Sequence, residues 1–421
     1  MDSDCRKALQ MLEENDPVLT ELRVVDWKGM PSKPSIHTGK FNSTNSNDYA
    51  RLGEAIAMNT HLTKLHVNDE TILDVSERGF HGFYDGLKRN SSIIDVSLWC
   101  DCDLIGSVYH DILKAYQNQE NICRLTHLRI DSANLQNGGE HLIVSTLQRC
   151  TNLKDICLFC CNVTDEKLVV IVEAVRVCRS LEKLELSTTY SIGSTLHSCE
   201  ILAGLLTDTN CNLESLALRN NEIDNEGVTV IANSLSNNTK LQNLDLYNNH
   251  FDTTTSFSRL VCDTSSINST YYSNHTLVGL GRYLSIDPQL KTLLEMNTGT
   301  NKRHVAMKKI LRSHPNIDMA PLFTLCLEEG ERNLKALPYV IDWFDTASAA
   351  IDDEEVHSSE SSDDSSDYSD SDDSSDNYDY EVEEKKLTAI YEFALAMPVL
   401  FIPASHTTVD DDGNKKKRKR G

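Results

Sequence analysis

No Gly-rich run ending in Gly-Lys-Ser/Thr occurs in the 421 residues, which excludes the phosphate cradle of a P-loop nucleotide site. Gly-x-Ser-x-Gly and His-Glu-x-x-His are missing too, and no paired Cys/His constellation replaces them. Hydrolase chemistry therefore has no motif to stand on, and no catalytic residue, metal or cofactor is expected. Long apolar runs are also absent. The most apolar stretch near the C-terminus, Leu387 to Pro403, contains Glu392 and Pro398 and falls short of the roughly 20 apolar residues that a spanning helix needs. The first residues, MDSDCRKALQMLEEND, are polar and acidic where a secretory signal has a basic start and an apolar centre. These absences predict a chain that is neither secreted nor membrane-bound, located in the nucleus, the cytoplasm or both.

Thirteen cysteines is an odd number, which in a chain without an export signal argues for reduced thiols over a disulfide framework. Cys100-x-Cys102 and Cys157-x-x-Cys160-Cys161 are closely spaced, but a zinc site needs a second pair of ligands in fixed relation. Small thiols filling a core account for them better. Asn-x-Ser/Thr triplets start at Asn42, Asn90, Asn162, Asn237, Asn268 and Asn274; on this reading they carry no glycan.

What the chain does have is a repeat. The pattern LxxLxLxx(N/C)x(L/V/I) begins at Leu125, Leu153, Leu181, Leu213 and Leu241, at intervals of 28, 28, 32 and 28 residues, with looser copies at Ile93, Leu62 and Leu19. The first half of each unit alternates apolar and polar residues, as in Leu213-Glu-Ser-Leu216-Ala-Leu218, which predicts a short strand with one face in a core. The second half changes to helical spacing. Counted from the first Leu of each unit, the nineteenth position holds Ile143, Ile171 and Ile231, and the twenty-third Leu147, Val175 and Leu235. These columns predict an apolar helix stripe facing the strands. Gly139 and Gly227 share the fifteenth position, read as a turn that needs a permissive backbone. One strand and one three-turn helix cannot bury enough surface alone, so neighbours must stack.

The segments LKDICLFCCNVTDEKL, LESLALRNNEIDNEGV and LQNLDLYNNHF resemble the ribonuclease-inhibitor class of leucine-rich repeats over about residues 60–260. The resemblance implies an α/β solenoid (horseshoe) with parallel strands on the concave side and helices on the convex side. CDTSSINSTYYSNHTL, HVAMKKILRSHPNIDM and LPYVIDWF resemble the C-terminal part of a group of uncharacterised algal proteins with these repeats, which implies a genuine cap of C-terminal helices and no activity. Leu290 to Asn297 reads as a degenerate last rung, followed by a helix from about His304 to His314 that ends at Pro315. The expected layout is an N-terminal cap with an irregular first repeat and polar loop (1–60), a repeat array (61–260), a degenerate repeat and helical cap (261–350), an acidic Ser/Asp-rich loop (351–384), a cap helix (385–403) and a basic tail (404–421).

On the concave side the third, fifth, seventh and eighth positions point outward. The seventh column reads Asn68, Trp99, Asp131, Phe159, Ser187, Arg219 and Tyr247, and the fifth includes Arg129. Aromatics and arginines are the residue types enriched at interface hot spots, so Trp99, Arg129, Phe159, Arg219 and Tyr247 are the expected contacts for a protein partner, although isolated surface aromatics are also ordinary. No direct nucleic-acid contact is expected.

Asp352 to Glu384 contains sixteen acids and no Lys or Arg, so this stretch accounts for most of the formal charge of −24. With almost no aliphatic content it cannot offset the entropy of ordering. Ser361 and Ser369 each have an acid three residues later, a pattern that acidophilic kinases accept; a solvated linker without a role is the alternative. The apolar pieces Leu334 to Phe344 and Leu387 to Met397 flank it and are expected to pair as the lid of the array. Lys415, Lys416, Lys417, Arg418, Lys419 and Arg420 have the density of a nuclear-import signal read by an importin, or else keep the tail soluble. The functional expectation is a non-catalytic protein-binding scaffold. Repeats of this class beside an acidic C-terminal stretch also resemble the Ran GTPase-activating proteins, and the acidic loop resembles that of nuclear phosphoprotein chaperones for basic proteins.

Overall fold

The computed structural model describes residues 3–24, 36–43, 45–68, 77–100, 108–117, 124–135, 138–189, 192–252, 254–282 and 284–314. The acidic stretch, Ser361, Ser369, the two lid pieces and the basic tail lie outside these residues. Two compact units divide the chain, Met1–Ala306 and Met307–Gly421, and the repeats belong to the first.

Nine strands form one parallel sheet: β1 (Glu21–Val24), β2 (Thr38–Phe41), β3 (Lys64–Asn68), β4 (Asp95–Trp99), β5 (His127–Asp131), β6 (Asp155–Phe159), β7 (Lys183–Glu185), β8 (Ser215–Ala217) and β9 (Asn243–Asp245). Their spatial order is β2-β1-β3-β4-β5-β6-β7-β8-β9, open at both ends. Helices alternate with them: α1 (Ser3–Glu13), α2 (Ser46–Met58), α3 (Glu77–Arg89), α4 (Val108–Gln117), α5 (Gly139–Arg149), α6 (Asp165–Val177), α7 (Leu196–Leu206), α8 (Asn225–Ser234), α9 (Thr255–Val261), α10 (Ile267–Tyr271), α11 (Pro288–Met296) and α12 (Lys302–Ser313). The fold is a leucine-rich-repeat solenoid. Because packed helices need roughly 8–10 Å of lateral room and strands only about 4.8 Å, the array bends with its strands on the inner side.

Register explains the repeat. The fourth positions Leu65, Val96, Leu128, Ile156, Leu184, Leu216 and Leu244 are Cα partners on successive strands, and all are buried. The first positions Leu153, Leu181 and Leu241 occupy equivalent buried places, and the helix columns Ile143, Ile171, Ile231 and Leu147, Val175, Leu235 close the core from the other side. At about 1.5–3 kcal/mol per fully buried aliphatic side chain, neighbouring units supply what one unit cannot.

Two polar columns terminate each unit. In five consecutive units, those beginning at Leu125, Leu153, Leu181, Leu213 and Leu241, the eighth residue turns the chain out through the left-handed region: Ser132, Cys160, Thr188, Asn220 and Asn248 all have φ between 51° and 59°. Asparagine takes this conformation readily, whereas β-branched Thr188 holds it at a cost in strain. Thus the eighth position serves the turn. At the other end an asparagine ladder links the helix ends to the next strand. Asn90 Nδ2 donates to Ile56 O (2.7 Å) and Asn59 O (3.0 Å), while its Oδ1 accepts from the Ile93 amide (2.9 Å). Asn59, Asn238 and Asn274 cap the amides of Leu62, Leu241 and Leu277 in the same way. Two of the glycosylation triplets, at Asn90 and Asn274, are therefore rungs of this ladder, with side chains buried.

The structure departs from expectation in several places. Leu290 to Met296 is not a rung: Asp287 caps the amide of Gln289 and Pro288 starts α11, as expected of proline in a first helical turn. The last rung begins instead at Leu277, where the Val278 amide bonds to Gln242 O and Gly279 bridges to Asn243. At the N-terminal end, β2 adds a strand outside β1 and packs beneath α1. Gly227 is constrained by packing rather than by φ, since a Cβ there would meet Cys199 Sγ at 2.7 Å; the positive φ before α5 belongs to Gly138, at 88°. Cys5, Cys157, Cys161, Cys178, Cys199, Cys211 and Cys262 are buried.

Candidate functional site

The inner strand face is a grid whose columns are set by register. Trp99, Asp131 and Phe159 are successive Cα partners across β4, β5 and β6, and Arg129 lies one step along from Asp131 on the same face. The Arg129 guanidinium stands 5.4 Å from the centre of the Phe159 ring, within cation–π range. Its Nε donates to Asp131 Oδ2 at 2.9 Å. On the other flank the His66 ring lies 5.6 Å from Trp99. Three of the five expected contact residues, Trp99, Arg129 and Phe159, thus meet around one carboxylate.

Arg219 and Tyr247 form a second group. Arg219 Nε donates to Asp245 Oδ2, whose other oxygen accepts from the Tyr247 amide at 3.1 Å. Tyr247 is 39% exposed. Between the two groups stands Ser187, fully buried. The seventh column is therefore less exposed than strand alternation implied, because Asn68 and Asp131 are buried with it. In the fifth column Ser97 and Cys157 are buried as well.

Asp131 is the residue that pattern reading passed over. Burial holds its pKa above the usual carboxylate range, opposed by hydrogen bonds from Arg129 and Trp99, and its Oδ1 has no hydrogen-bond partner. The sequence signal was an acid two residues after an arginine, between two aromatics of one column. His66, 3.5 Å from Glu21 Oε1, is pushed down by burial. One build recurs at three pairs of the face, Lys64–Asp95, Arg129–Asp131 and Arg219–Asp245, where the base is the more exposed member, at 53%, 39% and 44% of its side chain against 24%, 8% and 14%; in Arg23–Glu21 on β1 the order is reversed.

Nothing in this geometry activates a nucleophile. Cys157 donates to Glu185 Oε2 at 3.2 Å, and burial pushes its thiol up, as it does that of Cys161, the opposite of what a reactive thiolate requires. Among the described residues no group of three or more His, Cys, Asp or Glu could hold a metal ion. No helix among them is long and apolar enough to cross a membrane. A groove of about 630 Å³ opens between α8, α9 and α10, lined by Thr229, Asn233, Arg259, Asp263 and Tyr272, on the helical layer.

No known protein-family profile matches the chain. A curated relative, the human "NACHT, LRR and PYD domains-containing protein 5", is 34% identical over 133 residues, which is 31% of this chain and 11% of that protein. The chain thus spans about a tenth of that relative's length. Among solved structures, leiomodin-1 actin-binding site 2 overlaps 49% of this chain and 92% of its own, at 19% identity and a TM-score of 0.28. An internalin C2 from Listeria monocytogenes overlaps 62% and 89%, at 13% identity and a TM-score of 0.27. Overlaps this loose carry no weight for the fold, which stands on strand register and buried columns.

Proposed function

We propose that this chain is a non-catalytic scaffold of the ribonuclease-inhibitor type of leucine-rich repeat, which binds a protein partner on its inner strand face. The observation that carries the reading is the pair of aromatic and guanidinium groups, Trp99–Arg129–Phe159 and Arg219–Tyr247, held on a parallel sheet by the recessed acids Asp131 and Asp245. Such anchors, rigid and partly desolvated before binding, lose little side-chain entropy on contact. The relative's name includes leucine-rich repeats, and the 133 matched residues support the repeat class alone.

The test is affinity capture from cell extract with the full chain, comparing wild type with Trp99→Ala/Phe159→Ala/Arg219→Ala. Loss of specific partners from the variant is the expected result. Identical partner sets, with both proteins shown to be folded by circular dichroism, would overturn it.

A further inference from the structure

The inner face is close to neutral by residue count, yet it is not neutral in depth. In three of its ion pairs the acid sits low and the base high: Asp95, Asp131 and Asp245 are the recessed partners of Lys64, Arg129 and Arg219, whereas on β1 Arg23 is the more buried member of its pair with Glu21. At those three pairs a partner approaching the sheet meets the cation before the anion.

The two arginines are also pre-positioned. Each is held from below through Nε, Arg129 by Asp131 and Arg219 by Asp245, and their terminal Nη1 and Nη2 groups make no hydrogen bond to a described residue. A guanidinium is a planar fork with five donors, so a side chain anchored through Nε keeps its Nη edge for a second, bidentate acceptor. The Phe159 ring lies under the Arg129 guanidinium at 5.4 Å, a cation–π contact that adds a second restraint. Arg129 lies on β5 and Arg219 just beyond β8, three strands apart, or roughly 14 Å across the strands at about 4.8 Å per strand, and two residues further along, since Arg129 is in register with Ala217. An extended peptide rising about 3.4 Å per residue would cover that span with side chains four residues apart.

Resting on the reading of this face as a binding surface, we propose that it takes an acidic protein segment, with Asp or Glu carboxylates gripped by the Nη forks of Arg129 and Arg219. Lys64 supplies further positive charge at the same height, and the rings of Trp99 and Phe159 form an apolar floor for intervening side chains. The chain's net charge of −24 opposes such a partner at long range. Beyond roughly 8 Å that repulsion is screened at physiological ionic strength, whereas direct fork contacts persist.

The experiment is fluorescence anisotropy on the full chain with three labelled dodecapeptides: one with glutamates every fourth residue among leucine and serine, its lysine counterpart and its serine counterpart. A single-stranded oligonucleotide of equal charge serves as a fourth probe. The glutamate peptide is expected to bind best, and Arg129→Gln/Arg219→Gln to weaken it at least about tenfold, the order of one charge-assisted contact. Arg219→Gln alone, at an exposed position, is expected to weaken it severalfold without touching the fold. Replacing Lys415 to Arg420 by glutamine should leave the affinity unchanged. Preference for the lysine peptide or the oligonucleotide, equal binding by the arginine variants, or loss on changing the tail would each overturn the proposal. If capture from extract depends on Trp99, Phe159 and Arg219 while the glutamate peptide fails, the scaffold reading stands and the partner class falls. If capture is indifferent to those residues, the scaffold reading falls.

Discussion

Replacing Asn90 by alanine tests whether the asparagine ladder holds successive units together. The substitution removes two donated bonds and an acceptor that takes the Ile93 amide together with the amide and hydroxyl of half-buried Ser92, which can turn to water. The Ile93 amide loses its only side-chain cap, while Ile56 O still accepts from the Asn59 amide and Asn59 O from Ser92 Oγ. One orphaned buried N–H costs about 1–3 kcal/mol, and two carbonyls each losing one of two bonds cost about 0.5–1 kcal/mol apiece, for a total near 3 kcal/mol. Against a typical domain stability of about 5–15 kcal/mol, that is a large fraction. Urea unfolding followed by circular dichroism should show a midpoint lowered by about 1 M, for a slope of a few kcal/mol per molar. Asn210 occupies the equivalent place before Leu213 but is exposed and bonds only to Asp208, so Asn210→Ala should stay within about 0.5 kcal/mol of wild type. Equal midpoints for the Asn90 and Asn210 variants would refute the ladder as a source of stability, and unchanged hydrogen exchange at Ile93 would refute its mechanism.

Helix packing offers a pair of opposite sign: a Cβ at Gly86 would lie 2.1 Å from Gly53 O, whereas one at Gly204 would meet only the mobile end of Arg176 at 3.1 Å. Thermal unfolding should therefore show Gly86→Ala severely destabilised and Gly204→Ala stabilised by up to about 1 kcal/mol through helix propensity; the reverse order would contradict the close approach of α2 and α3. Asp131 binds its proton more readily folded than unfolded, because burial raises its pKa, so its ionised form lowers stability above that raised pKa. Wild type should gain stability relative to Asp131→Asn as pH falls through it, and parallel curves in pH-resolved urea titrations would count against burial as the dominant cause. Burial pushes the thiols of Cys161 and Cys199 up to about 12 and about 11. Mass spectrometry after a thiol-exchange reagent at pH 8 should find both unmodified in the native chain and modified in guanidinium, and rapid native labelling of either would show that the core opens.

The repeat was legible because its determinants are local and periodic. A buried column such as Leu65, Val96, Leu128 and Ile156 recurs at the unit length whatever surrounds it, and register does the rest. The last rung was misplaced for a physical reason. Leu290-Lys-Thr-Leu293-Leu294 satisfies both the strand motif and the i, i+3, i+4 spacing of a helix, and only Asp287 and Pro288 ahead of it discriminate. Those two residues should have outweighed the leucines, since a proline at the first helical position is a boundary signal and an LxxL run is not. Asn274, three residues before Leu277 as Asn238 is before Leu241, was the matching signal for the true rung.

The inner face was legible only in part, because side-chain height is a pairwise property. Strand alternation states that Arg129 and Asp131 point to the same side, and it treats them as equals. Which one lies deeper depends on stem length and on the neighbouring strands: a guanidinium on three methylenes can stack over Phe159 and stay wet, while a carboxylate on one methylene is covered by Trp99, Phe159 and Arg129 itself. The same asymmetry repeats where Arg219 stands over Asp245 and Lys64 over Asp95. Where a short aspartate is paired with a long base on this face the base therefore stands higher, and that part of the face presents positive charge to whatever it touches; on β1, where the longer Glu21 faces Arg23, the order reverses.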